Sequence, residues 1–167
     1  SSDRVGSIKY IDNTALTGVL IKTGVPADAV DPIRYVLVLI MLIAVAVALP
    51  LLLRRGMTLS AISMNALVML FMSPISWSHH WVWCLPVLMS VAAAAWRWRS
   101  TALGVAGAAG FLVFVLAMQW WFPEQNHVEQ NWPTWAKAVG SSYTWWALGC
   151  GAVLWWASGR RLNALHR

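Results

Sequence analysis

The segment Ile33 to Leu53 is almost purely aliphatic, and after Arg34 it contains no charged side chain. About 20 such residues suffice for a helix to cross the hydrocarbon core of a bilayer. Only helices and closed barrels satisfy every backbone polar group in that environment. Four more apolar stretches follow: Leu59 to Ile75, Trp81 to Trp96, Ala102 to Trp121 and Tyr143 to Ala157. Together they predict an all-α, polytopic transmembrane helix bundle of about five spans with extracytoplasmic loops. The second, third and fifth are short, which predicts tilt or extension into the membrane interface. Composition agrees: 59% of the 167 residues are hydrophobic and 11% charged, against about 25% charged in an ordinary soluble domain.

Charge placement orients these spans. Arg54 and Arg55 follow the first, Arg97 and Arg99 the third, and Arg160, Arg161 and Arg167 the fifth. Alternating spans put all three clusters on one face, and the excess of basic residues on cytoplasmic loops makes that face cytoplasmic. The six acids, Asp3, Asp12, Asp28, Asp31, Glu124 and Glu129, all fall on the other face. The expected organisation is an extracytoplasmic or interfacial segment at 1–32, a five-helix transmembrane region at 33–158 and a basic cytoplasmic tail at 159–167. The chain begins Ser-Ser-Asp and has no signal-peptide pattern, which reads as a piece of a longer membrane protein of the plasma membrane. The net charge of +6 is spread in short clusters between apolar runs, so nucleic acid is not an expected partner and membrane lipid is. Cys84 and Cys150 both lie inside apolar segments, where packed thiols are expected rather than a disulfide.

Chemistry is therefore expected at the extracytoplasmic face. The run Ser73 to Trp83, SPISWSHHWVW, sets His79 and His80 side by side between two spans, flanked by Ser76, Trp77, Ser78 and Trp81. Imidazoles donate, accept or carry charge near neutral pH, and such groups at a membrane boundary are costly unless they serve a site. His80 and Cys84 are one helical turn apart, but nothing is spaced to complete a three- or four-ligand metal site, and no metal or cofactor is expected. Thirteen tryptophans suit interfacial belts. Two in the outer group, Trp77 and Trp132, sit beside polar residues in a way that suits contact with a sugar or a lipid headgroup. Near the N-terminus, Leu16, Val19 and Leu20 with Lys22 predict an amphipathic helix on the outer membrane surface, whose Lys and Arg side chains could hold a lipid-linked phosphate. Gly104, Ala106, Gly107, Ala108 and Gly110 predict close helix packing along the fourth span. No Walker loop, dinucleotide fingerprint, Cys-x-x-Cys or nucleophile elbow occurs.

The run SPISWSHHWVWCLPVLM resembles the signature of actinobacterial membrane glycosyltransferases of the GT-C superfamily. Within these it is similar to glycosyltransferase family 87, which includes polyprenol-phosphate-mannose-dependent alpha-(1,2)-mannosyltransferases of mycobacteria. Upstream, RVGSIKYIDNTALTGVL resembles a second family segment, with Arg4, Val5, Gly6, Asn13 and Gly18 on matching positions and Thr14, Ala15 and Thr17 departing from it. The resemblance covers most of residues 1 to 96 and implies the C-terminal half of a longer enzyme. It implies transfer of mannose from a polyprenyl-phosphate donor to a glycolipid or lipoglycan acceptor on the outer face of the plasma membrane. The family's catalytic base is an aspartate of the N-terminal half, so no catalytic residue is assigned in this chain, Asp3 and Asp12 included, and that half is itself an expected partner. Donor-phosphate and substrate contacts are expected from His79, His80, Arg4, Asn13, Ser76, Trp77 and Trp132. Alternatives are an arabinofuranosyltransferase using decaprenyl-phosphate-arabinose, or a non-enzymatic transporter or scaffold subunit for lipid-linked sugars.

Overall fold

A computed structural model of the chain describes residues 12–123, 128 and 131–165, with side chains in the final helix through 154 and at 156. The fold is all-α, and no strand occurs among the described residues. Among the described residues, seven helices follow in order: α1 (Leu16–Lys22), α2 (Ala27–Arg54), α3 (Thr58–Met72), α4 (Cys84–Trp98), α5 (Thr101–Leu116), α6 (Thr134–Gly140) and α7 (Ser142–Leu165). Two 3₁₀ turns, Ser78–Trp83 and Met118–Trp120, precede α4 and follow α5. By length and apolarity α2 and the stretch Thr101–Trp120 suffice to cross a membrane, and α3 is a shorter apolar helix.

The helix ends explain where the expected spans and the observed ones part. α2 begins six residues before Ile33, straight after Pro26, because Pro26 fixes the backbone that enters the first turn. At 28 residues it is about 42 Å long, more than the ~30 Å hydrocarbon thickness. α3 stops at Met72 because Ser73 precedes Pro74 and takes an extended ψ of 139°. The chain then turns through Ser78–Trp83 before α4 starts, so α4 begins at Cys84 and not at Trp81. α5 ends at Leu116, where Ala117 adopts a left-handed φ of 43°. Gln119, placed within the fourth apolar stretch on sequence, therefore lies in the 3₁₀ turn beyond the helix, and it is fully buried there.

α2, α3, α4 and α5 pack in sequence and α5 packs on α7. The core joins Leu70 and Phe71 of α3, Val87, Val91 and Ala94 of α4, Leu103 of α5, and Tyr143, Trp146, Ala147 and Cys150 of α7 around Trp81. Ser90 donates to Ser60 across the α3–α4 contact at 2.9 Å. The expected small-residue packing of α5 has a specific form. A Cβ at Gly110 would lie under 3.0 Å from the indole of Trp146, so only glycine admits that ring. The Trp146 indole N–H donates to the Ala106 carbonyl at 2.8 Å. The face of α2 away from α3 is a continuous apolar surface, with Leu39, Ile43 and Val47 all exposed. Such a surface suits lipid or further helices and not water.

Candidate functional site

Consecutive helices reverse direction, so the turn between α3 and α4 and the segment between α5 and α7 come to one end of the bundle, and Arg54, Arg55, Arg97 and Arg99 lie at the other. α1 joins the first end through hydrogen bonds. Asn13 is completely buried. Its side-chain Oδ1 accepts from the backbone N–H groups of Ser76 at 3.0 Å and Ala15 at 3.2 Å, and its Nδ2 donates to the Pro74 carbonyl at 3.3 Å. Thr14 donates twice to the Ser76 carbonyl, from its backbone N–H at 2.9 Å and its hydroxyl at 3.0 Å. The Thr144 hydroxyl, in the first turn of α7, donates to the Thr14 carbonyl at 2.6 Å. Segments far apart in sequence therefore converge on the strand of backbone that leads into the histidines.

Lys22 completes this junction. Its ammonium donates to the Asn13 carbonyl at 2.8 Å, and the side chain is 7% exposed. Burial drives its pKa down to about 7, opposed by the smaller attraction of Asp12. The helix expected to display Lys22 on the membrane surface instead turns it inward, together with Leu16, Thr17, Gly18 and Val19.

The histidine pair is exposed where this backbone emerges. The His79 and His80 rings meet edge to face, with centroids 4.4 Å apart at 72°. The Trp77 backbone N–H donates to His80 Nδ1 at 3.2 Å. That bond needs an unprotonated Nδ1, so neutral His80 carries its hydrogen on Nε2 and presents it as a donor. Partial burial first, and the neighbouring His79 second, lower the His80 pKa below the ordinary histidine value. On the other side, Trp81 is 1% exposed and packs among Phe71, Phe114 and Tyr143 at centroid distances of 5.9, 6.1 and 5.6 Å. In sequence Trp81 only flanks the histidines; in the fold it is the centre of the core. The pair is thus held between an anchored strand before it and a buried indole after it.

The other sequence-nominated residues divide clearly. Ser76 is buried, with both its backbone groups engaged as above and its hydroxyl without a hydrogen-bond partner among the described residues. Trp77 is half-buried beside His80. Trp132 is only 9% exposed: its indole N–H donates to the Pro123 carbonyl at 2.9 Å, and its ring meets Phe122 edge to face. Trp135, which also meets Phe122 edge to face, is exposed at 63%. Arg4 lies outside the described residues, as do Val5 and Gly6. Among the described residues no group of three potential metal ligands comes together. α6 has one start signal in the sequence, Pro133 ahead of Thr134.

The comparisons with known proteins bear on this geometry. The chain is 39% identical over 100 residues, 58% of its length, to a protein of Mycobacterium tuberculosis named polyprenol-phosphate-mannose-dependent alpha-(1-2)-phosphatidylinositol mannoside mannosyltransferase. It is 41% identical over 98 residues to the protein of the same name from Mycolicibacterium smegmatis. The matched region is in the C-terminal part of these relatives. The match spans 22% of the length of each relative. No family model matches the chain, and no solved structure matches it.

Proposed function

We propose that this chain is part of a membrane mannosyltransferase that takes mannose from polyprenol-phosphate-mannose and adds it to a phosphatidylinositol mannoside. The similarity to two relatives carrying that activity in their names supports the class and favours mannose over arabinose as the sugar. The observation that carries the site is the hydrogen bond from the Trp77 N–H to His80 Nδ1 at 3.2 Å, which leaves Nε2 as the donor of the neutral ring in an exposed, anchored turn.

In this reading the acceptor hydroxyl attacks the anomeric carbon of the donor. The bond from that carbon to the phosphate oxygen breaks, and polyprenyl phosphate departs with the electron pair. The hydroxyl proton passes to a base outside this chain. Charge grows on the departing phosphate, and preorganised donors aimed at that charge lower the barrier. His80 supplies one such donor and His79 the second ring at the same place. The active end faces outward: Asp12, Asp28 and Asp31 lie near it and the Arg54, Arg55, Arg97 and Arg99 clusters lie at the opposite, cytoplasmic end. A site at the bundle end lets the polyprenyl tail remain in lipid while the sugar meets water.

The test is transfer from polyprenol-phosphate-mannose by the intact protein carrying His79→Ala or His80→Ala, with its membrane abundance measured in parallel. The expected result is a loss of about a hundredfold or more, equivalent to about 2.7 kcal/mol of transition-state stabilisation. Near-normal transfer at normal abundance overturns the role of the histidines.

A further inference from the structure

We infer that Asn13 is a positioning residue for the histidine turn: with Gly18 behind it, it forms a latch that fixes the Pro74–Ser76 backbone and so sets where His79 and His80 point. This rests on the mannosyltransferase reading for its consequence in activity, and on geometry for the latch itself.

The sequence marks Asn13 as a substrate contact, but a completely buried side chain cannot meet a substrate. Its two polar atoms are spent on the chain itself. Oδ1 holds the Ser76 and Ala15 amides, and Nδ2 holds the Pro74 carbonyl. A carboxamide offers an acceptor and a donor side by side on one rigid plane, which is what a two-sided grip on an extended strand requires. The grip is needed where it falls. Pro74 carries no amide hydrogen, so the strand after α3 lacks one of the donors that could tie it to a neighbour.

Gly18 explains the other half of the motif. A Cβ there would lie under 3.0 Å from the Asn13 carbonyl oxygen, Cγ and Nδ2 at once. Two of these three atoms belong to the amide that makes the grip, so a methyl group at position 18 displaces it without removing it. The spacing from Asn13 to Gly18 brings the first turn of α1 back over the asparagine, and Lys22 one turn later ties the Asn13 carbonyl. From Ser76 the chain needs only one residue to reach Trp77, whose amide orients the His80 ring. A shift of the strand is therefore passed to the imidazole through a single peptide unit and one hydrogen bond.

The experiment compares Asn13→Ala, Gly18→Ala and His80→Ala with the double variant Asn13→Ala/His80→Ala in the intact protein. Hydrogen exchange of the Ser73–Trp77 segment is read alongside mannosyl transfer. Ser90→Ala, which breaks an α3–α4 hydrogen bond away from the turn, controls for general loosening. Asn13→Ala and Gly18→Ala are expected to speed exchange in the Ser73–Trp77 segment about tenfold or more and to lower kcat about tenfold or more, while Ser90→Ala does neither. The double variant is expected to be no slower than His80→Ala alone, because Asn13 acts through that ring. Should Asn13→Ala fail to reach the membrane, Gly18→Ala and the double variant Gly18→Ala/His80→Ala, which displace the amide without removing it, take its place. Unchanged exchange at Ser76 overturns the latch. Faster exchange with full transfer, or single losses that multiply in the double variant, overturns its role in positioning. A fully active His80→Ala protein with faster exchange in Asn13→Ala instead refutes the function assigned to the histidines and leaves the latch in place.

Discussion

The hydroxyl of Thr144 donates to the backbone carbonyl of Thr14 at 2.6 Å, joining two residues 130 positions apart. Both are fully buried. Through Thr14 the start of α7 is tied to Ser76, so the last helix helps to hold the turn between α3 and α4. Thr144→Val keeps the shape and removes the donor, leaving a buried carbonyl short of a partner. The expected cost is about 1–3 kcal/mol, seen as a lower thermal midpoint in detergent. Thr144→Ser should restore most of it; an unaltered midpoint in Thr144→Val would show that the bond contributes nothing.

Gly110 and Trp146 occupy a single space between α5 and α7. Gly110→Ala forces its methyl into the indole and is expected to destabilise the bundle by about 1–3 kcal/mol. Shrinking the ring with Trp146→Leu removes the obstruction, so Gly110→Ala should cost less in that background. A double-mutant cycle on thermal midpoints measures the difference, and strictly additive effects would contradict the shared space.

The tautomer of His80 predicts a pH dependence. Its Nδ1 accepts from Trp77 only while neutral, and desolvation followed by His79 keeps the pKa below the ordinary histidine value. The acid limb of kcat/KM, which reports groups of the free enzyme, should fall below the usual histidine range. His79→Gln removes the like-charge contribution, so that limb should move to higher pH. A limb that stays in place in His79→Gln assigns it to another group.

Lys22 gives stability its own pH profile. Its pKa is about 7 when folded and near 10.5 in the unfolded chain. Between these values the unfolded state binds more protons, so stability rises with pH across that window. It is lowest below about pH 7, where the folded protein carries the buried charge in full. Midpoints measured at about pH 6 and about pH 9.5 should therefore differ in favour of the higher pH. Lys22→Met should flatten the difference, and a flat profile before substitution would place the ammonium in solvent.

The parts of this fold that sequence exposes are those set by long averages. α2 and α5 stand out because a membrane span is a run of apolar residues. The all-α class comes from the same signal. What sequence hides depends on single atoms far apart. Nothing near Asn13 announces that its amide meets backbone sixty residues on, and a hydropathy pattern treats Lys22 as a surface charge. Trp81 and Trp83 look equivalent in sequence. The 3₁₀ turn sends the first into the core and leaves the second 37% exposed. Trp132 and Trp135 were similarly indistinguishable, and a hydrogen bond to Pro123 selects which ring is withdrawn. The histidine pair itself was visible because two imidazoles beside a membrane boundary are rare; the orientation of the His80 ring was not.

The hydrogen bonds described above from Asn13 and Thr14 to the turn end on main-chain atoms of Pro74 and Ser76. The attachment reads the path of the chain and ignores the side chains it displays. The exposed side chains of His79 and His80 can therefore change while those bonds stay as they are. A protein built this way separates its tooling from its frame: the side chains that a short exposed turn presents can change with the helices that hold it left as they stand.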